Sequence, residues 1–265
     1  HRRRSFEGLS RRYLRLLGDP FKGLVPDPEQ AVADVAEVAL YIKYNSIQRP
    51  VYYEKIIEKL ITARVNKNKV SLFSAWGPPY RRRRTNIRDS DIEVRTLREI
   101  GETAEIFEEN RIQIMVVLMP ADSYGIDING LEEISVTDYF NYLTERAQTE
   151  IGKGRACIVP WSSIKTKNRG RYQELKETIE SNFFNWIRYG QYANAVRTAQ
   201  FFGKGTAEET AKQYCVERLV EGIIIDEIYR PIKISLAEKG NDILDGPLSR
   251  VYIIQNRRPW MVGEI

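Results

Sequence analysis

Histidine is almost missing from this 265-residue chain: the single copy is His1. No Ser-His-Asp triad, His general base or histidine-rich metal site can be built from its body. Proton transfer therefore falls to Asp, Glu, Tyr, Lys, substrate or water. Cysteine is nearly as scarce. Cys157 and Cys215 stand far apart, outside any metal-binding spacing or disulfide framework. That predicts two small buried hydrophobes in a reducing, cytoplasmic compartment. No apolar run approaches the ~18 residues of a membrane span. The basic start HRRRSFEGLSRRYLRLL lacks the apolar stretch of a secretory signal. Internal repeats, low-complexity tracts and long linkers are also absent, and Gly203-Lys204-Gly205 lacks the second half of a P-loop. The expectation is a protein with no metal, no cofactor and no membrane partner, its oligomeric state left open.

What remains is ordinary globular material: 42% hydrophobic and 29% charged residues supply enough apolar surface for a core. The net charge of +5 is unevenly placed. Arg2, Arg3, Arg4, Arg11, Arg12 and Arg15 load the amino terminus, and Arg81, Arg82, Arg83, Arg84 and Arg88 form a second cluster. Guanidinium groups fork onto carboxylate and phosphate oxygens. The first cluster reads as solvated surface. The second follows a predicted strand end and reads as an anion clamp.

Residues 69–84, KVSLFSAWGPPYRRRR, are the centre of the reading. Residues 70–74 form a short buried strand that stops at Trp76-Gly77-Pro78-Pro79, beside Tyr80 and the arginines. A helix over 90–109 follows, with Ser90 and Glu93 spaced as a capping box, then an apolar strand over 112–119. Strand, loop, helix, strand opens a parallel α/β sheet, whose ligands bind at the carboxyl ends of the strands. The second strand ends in Pro120-Ala121-Asp122-Ser123-Tyr124-Gly125-Ile126-Asp127. Asp122, Tyr124 and Asp127 are there either as ligand contacts or as a polar turn. Ser135 caps a helix to about 151, and a third strand, 155–159, stops at Pro160-Trp161. Three strands thus bring polar and aromatic groups to one rim.

The aromatic stretch 169–202 has helical spacing and reads as core or lid rather than as base-stacking surface. Thr206 and Glu209 start a helix to about 221. Strands over 230–236 and 250–255 close the chain. Before the first strand, Ala31, Val32, Val35, Val38, Ala39 and Ile42 recur at helical spacing after Asp27-Pro28, and a second helix spans roughly 51–65. The fold class is α/β: a Rossmann-like, mostly parallel sheet flanked by helices (69–265), with a helical extension (1–68) packed on it.

These features, in this order, resemble the isonitrile synthase family, the enzymes related to pyoverdine/paerucumarin and spore-wall dityrosine biosynthesis. The similarity covers about 51–143 and 231–260. It lies in the Gly-Pro loop with basic residues, the acidic helix start Asp91/Glu93, the run Ile112-Gln113-Ile114-Met115-Val116 before an acidic loop, and a helix with Val136, Tyr139 and Leu143. A late strand over 232–236 and the terminal Pro259-Trp260 complete it. Pro79-Tyr80-Arg81-Arg82 replaces the family's Lys-Ser-Pro-Asn, no histidine follows the late strand, and Met261 follows Trp260. The resemblance implies an amino-acid substrate and a phosphorylated sugar as one-carbon donor, without metal, in transferase or lyase chemistry. Arg81 to Arg84 would hold the phosphate, Lys233 would form an imine with the sugar carbonyl, and Asp122 and Asp127 would hold the α-amino group or act as acid and base. Ser74, Trp76, Gly77, Tyr80, Tyr124 and Trp161 would line the substrate site. The chain is also similar to cyclodipeptide synthases, whose fold is like that of class I aminoacyl-tRNA synthetases. Their first strand likewise ends in serine, here Ser74. Their catalytic Tyr and Glu are four apart on a helix, whereas Tyr214 and Glu217 are three apart. That resemblance implies a tRNA-dependent enzyme, or an RNA-binding protein using the basic face. An interaction protein docking an acidic partner on the arginine loop is the third reading.

Overall fold

The computed structural model describes residues 28–45, 53–77, 91–200, 204–235 and 251–254. Two helices, α1 (Pro28–Asn45) and α2 (Tyr53–Asn66), lead into β1 (Val70–Trp76). Then come α3 (Asp91–Glu109), β2 (Ile114–Pro120), a π-helical turn (Tyr124–Ile128), α4 (Glu133–Glu150) and β3 (Ala156–Ile158). A helical run follows: α5 (Trp161–Lys167), α6 (Arg169–Ser181), the single turn α7 (Phe183–Trp186), α8 (Tyr189–Ala199) and the long α9 (Ala207–Tyr229). β4 (Ile232–Ser235) and β5 (Val251–Ile254) finish the sheet.

The five strands lie in the order β3-β2-β1-β4-β5, and every pair is parallel. The expected "mostly parallel" sheet is thus wholly parallel among the described strands. From β1 the chain steps to β2 and β3 on one side. It then crosses through α5 to α9 to β4 on the other. In sheets of this kind that reversal opens a crevice outside the strand carboxyl ends. The apolar runs VSLFSAW and IMVVLMP are nearly continuous because helices cover both faces.

Strand alternation divides the core in two. Leu72, Trp76, Val116 and Leu118 pack against α1 to α4, with Val35, Val38, Ile56, Leu60, Leu97 and Phe107. Phe73, Val117 and Met119 face α5 to α9, with Trp161, Ile179, Cys215 and Val220. The α3 stripe Leu97, Ile100, Ala104, Phe107 is the three-and-four spacing of its sequence, and all four side chains are fully buried.

Several boundaries differ from the sequence reading. β1 runs on to Trp76, because Ala75 and Trp76 pair with Met119 and Pro120 before the chain turns away. β2 begins at Ile114, since Arg111 takes a left-handed turn (φ 59) and the Ile112 N–H still bonds back to Phe107 of α3. α4 starts at Glu133, so Ser135 lies inside it; the extended Glu132 is the N-cap, without a side-chain cap. The 120–127 segment is not an open loop but winds into the π-helical turn. α9 continues to Tyr229 and is buried all round from Cys215 to Ile225. It is capped as expected: the Glu209 N–H donates to Thr206 Oγ1 and the Thr206 N–H to Glu209 Oε2. Arg230 ends it in the left-handed region ahead of Pro231.

Candidate active site

The carboxyl ends of β1, β2 and β3 are adjacent. Trp76 is in register with Pro120, the Ala121 N–H donates to the Trp76 carbonyl at 2.7 Å, and the Val159 N–H donates to that of Leu118 at 3.0 Å. The segments leaving β2 and β3 both turn toward α9, which carries Tyr214, Glu217, Arg218 and Glu221 along one flank. These positions are three and four apart, so they stack on one helix side.

Glu221, fully buried, accepts a 2.8 Å bond from the Tyr124 hydroxyl, and both its oxygens accept from Arg218 Nη1 (2.7 and 2.6 Å). Glu217 accepts from the Trp161 indole N–H and the Tyr172 hydroxyl, both at 2.6 Å, while Lys165 Nζ lies 3.1 Å from it. Tyr124 meets Tyr214 edge-on with centroids 5.7 Å apart, and the Arg218 guanidinium stands over the Tyr124 ring. Asp122 is half-buried and accepts both from the Ser162 N–H (3.0 Å) and from its hydroxyl, tying the β2 end to α5. Asp127 is exposed, 3.7 Å from Lys165.

Burial is survivable for these charges because each has partners. Arg218 offsets Glu221 and Lys165 offsets Glu217, leaving Asp122 and Asp127 to make the mouth acidic. Burial, then the adjoining Glu221, hold the Tyr124 phenol well above its ordinary range. Burial and the Glu217 bond do the same for Tyr172. Burial opposes the Arg218 charge, but Glu221, with Tyr124 and Tyr214, more than offsets that and keeps it protonated. Arg218 is not fully satisfied: its Nε is buried with no hydrogen-bond partner. The Ser123 hydroxyl, beside Tyr124, is orphaned likewise.

Of the residues picked out in the sequence, Asp122, Tyr124, Asp127 and Trp161 are brought together here. Tyr124 and Trp161 are buried and hold Glu221 and Glu217 in place. Ser74 and Trp76 are buried on the opposite sheet face, where the Trp76 indole donates to Ser74 Oγ at 3.1 Å. Gly77 is exposed at the β1 end. Lys233 lies on β4 in register with Phe73 of β1. Tyr80, Arg81, Arg82, Arg83 and Arg84 lie outside the described residues. Arg218, Glu221, Lys165 and Tyr172 were not singled out, although one signal for the first two was readable. The segment CVERLVEGIII interrupts an otherwise apolar run with three charges. Among the described residues no grouping of His, Cys, Asp and Glu suits a metal ion.

The sheet order, the two helical layers and the position of the site are those of the class I aminoacyl-tRNA synthetase-like branch of Rossmann folds. Two solved structures show the likeness. One is tyrosyl-tRNA synthetase of Leishmania major in complex with tyrosinol: TM-score 0.56 and 10% identity over 83% of this chain and 31% of that one. This chain thus spans about a third of the synthetase. The other is the PvcA protein of Pseudomonas aeruginosa: TM-score 0.55 and 14% identity over 83% of both chains. A CDPS from Staphylococcus haemolyticus aligns too loosely to bear on the fold, at TM-score 0.45. No protein-family model and no curated protein matches the sequence.

Proposed function

We propose that this chain is an enzyme that binds an amino acid at the carboxyl ends of β1 to β3 and transfers or eliminates a group on it. The observation that carries this reading is the convergence of the β2 and β3 ends on the buried carboxylates of α9. That leaves Asp122 and Asp127 as an acidic mouth suited to an α-ammonium group. The fold is shared with a synthetase seen with tyrosinol, itself an amino alcohol. In the isonitrile synthase-like version a phosphorylated sugar is the second substrate. Arg81 to Arg84 bind its phosphate and Lys233 condenses with its carbonyl, while Asp122 acts as acid and base. Tyr124 and Trp161 contribute from behind, by fixing the α9 carboxylates.

A tRNA-dependent version, in which the substrate is an aminoacyl ester, draws on the synthetase fold and the net charge of +5. Calorimetric titration of the twenty amino acids, alone and with pentose phosphates, tests the reading. One amino acid should bind, a sugar phosphate should bind alongside it, and the joint change Arg82→Ala and Arg83→Ala should abolish the second event only. Binding of neither class defeats the reading. If tRNA binds instead, with affinity falling steeply as salt rises, the second version stands.

A further inference from the structure

The Arg218 side chain is spent on one partner and on one side only. Both Glu221 oxygens are bound by Nη1, at 2.7 and 2.6 Å. The opposite side of the fork, Nε–H with Nη2–H, has no acceptor among the described residues, and Nε is sealed from solvent. With the side chain only 8% exposed, that is a costly vacancy. A buried donor of a charged group left unpaired costs more than an ordinary hydrogen bond returns. The arginine cannot swing to find water, because Glu221 grips one end and the Tyr124 ring lies beneath it. The planar pair Nε–H and Nη2–H is the edge that meets a carboxylate with two parallel bonds.

We infer that Arg218 binds the free α-carboxylate of the amino-acid substrate on its Nε/Nη2 edge, so that the substrate is an unesterified amino acid. This rests on the proposed function and refines it. The acidic mouth at Asp122 takes the ammonium end, and Arg218, on α9, takes the carboxylate end. An aminoacyl ester or amide offers that edge a single neutral oxygen, which is a weaker acceptor and has no second atom for the fork.

The test pairs each L-amino acid with its own carboxamide, which keeps the side chain and the ammonium group and removes only the charge. Titration of the unaltered protein should show the preferred acid binding about 10- to 100-fold tighter than its amide, as expected for losing charge-assisted bonds. In Arg218→Lys the charge facing Glu221 is kept and the fork is lost. The acid should then weaken to the level of the amide, while the affinity of the amide stays unchanged. Acid and amide binding equally to the unaltered protein would overturn the inference, even if Arg218→Lys failed to fold, and would leave the proposed function standing. Acid affinity unchanged in a folded Arg218→Lys protein would overturn it too, with Nε then satisfied by a buried water. Binding of no acid and no amide overturns both the inference and the proposed function.

Discussion

At the scale of single residues, the unusual expense of this protein is Glu217. Its side chain is 10% exposed and receives the Trp161 indole, the Tyr172 hydroxyl and Lys165. Glu217→Leu would strand two buried donors and a half-buried ammonium group, which puts the cost at about 3–5 kcal/mol. Urea unfolding followed by tryptophan fluorescence measures it; an unchanged midpoint would mean that the network contributes nothing. A second residue-scale effect is set by pH. Burial pushes the Cys215 thiol up to about 12 from an ordinary 9.0, and burial with Glu221 raises the Tyr124 phenol well above its ordinary 10.0. Both groups stay protonated in the fold at pH values where the unfolded chain releases its protons. Their contribution is complete below about pH 9 and drains away as pH rises through the folded-state values, at ~1.4 kcal/mol per pH unit for each group. Cys215→Ala and Tyr124→Phe should each flatten the decline in unfolding free energy between pH 9 and 11. Parallel curves for variant and parent would refute the assignment.

Among the elements, the contact of α3 with α4 depends on one missing side chain. Gly101 sits in the middle of α3, where glycine ordinarily costs about 1 kcal/mol against alanine. A methyl group there would stand 2.6 Å from the Glu150 carbonyl oxygen at the end of α4. Close approach decides the sign, so Gly101→Ala should destabilise by about 1–3 kcal/mol despite its better helix propensity. Gly190→Ala in α8, with nothing within 4 Å, should raise the melting temperature slightly. A rise for Gly101→Ala as well would show that the helices part easily. Elements of this kind were legible in the sequence where a periodic stripe or a punctuating residue marked them. The stripes of α1 and α3, the Thr206–Glu209 capping box and the strand cores fall where the pattern puts them. The π-helical turn and the full length of α9 did not. The turn looks in sequence like any Asp-Ser-Gly loop, and its winding is set by Tyr124 reaching Glu221, 97 positions away. α9 has no polar face to mark its ends, because packing encloses it on every side. The site was legible as a rim of strand ends. The two helix carboxylates that organise it were hidden inside an apolar run.

For the molecule as a whole, the question is whether 1–68 is an addition to the sheet or part of it. In the sequence α1 and α2 precede everything that carries chemistry, which makes them look dispensable. In the fold they complete one of the two layers. Val35, Val38 and Ile42 of α1 and Ile56 and Leu60 of α2 are each no more than 1% exposed, in one cluster with Leu72 of β1 and Val116 of β2. A wholly parallel sheet needs cover on both faces, since a bare face would offer water a near-continuous apolar surface. Chain 69–265 should therefore fail to fold by itself: far-ultraviolet circular dichroism would show reduced helix and strand, and the soluble yield would collapse. The other layer alone cannot compensate, because α5 to α9 pack on the opposite parity of the strands, on Phe73, Val117 and Met119. Adding 1–68 back as a separate chain should restore the fold if the two pieces meet before aggregation. A cooperative melt from 69–265 alone would instead make the first two helices a true appendage. The strand ends, and the site built on them, would then owe nothing to the layer behind Trp76.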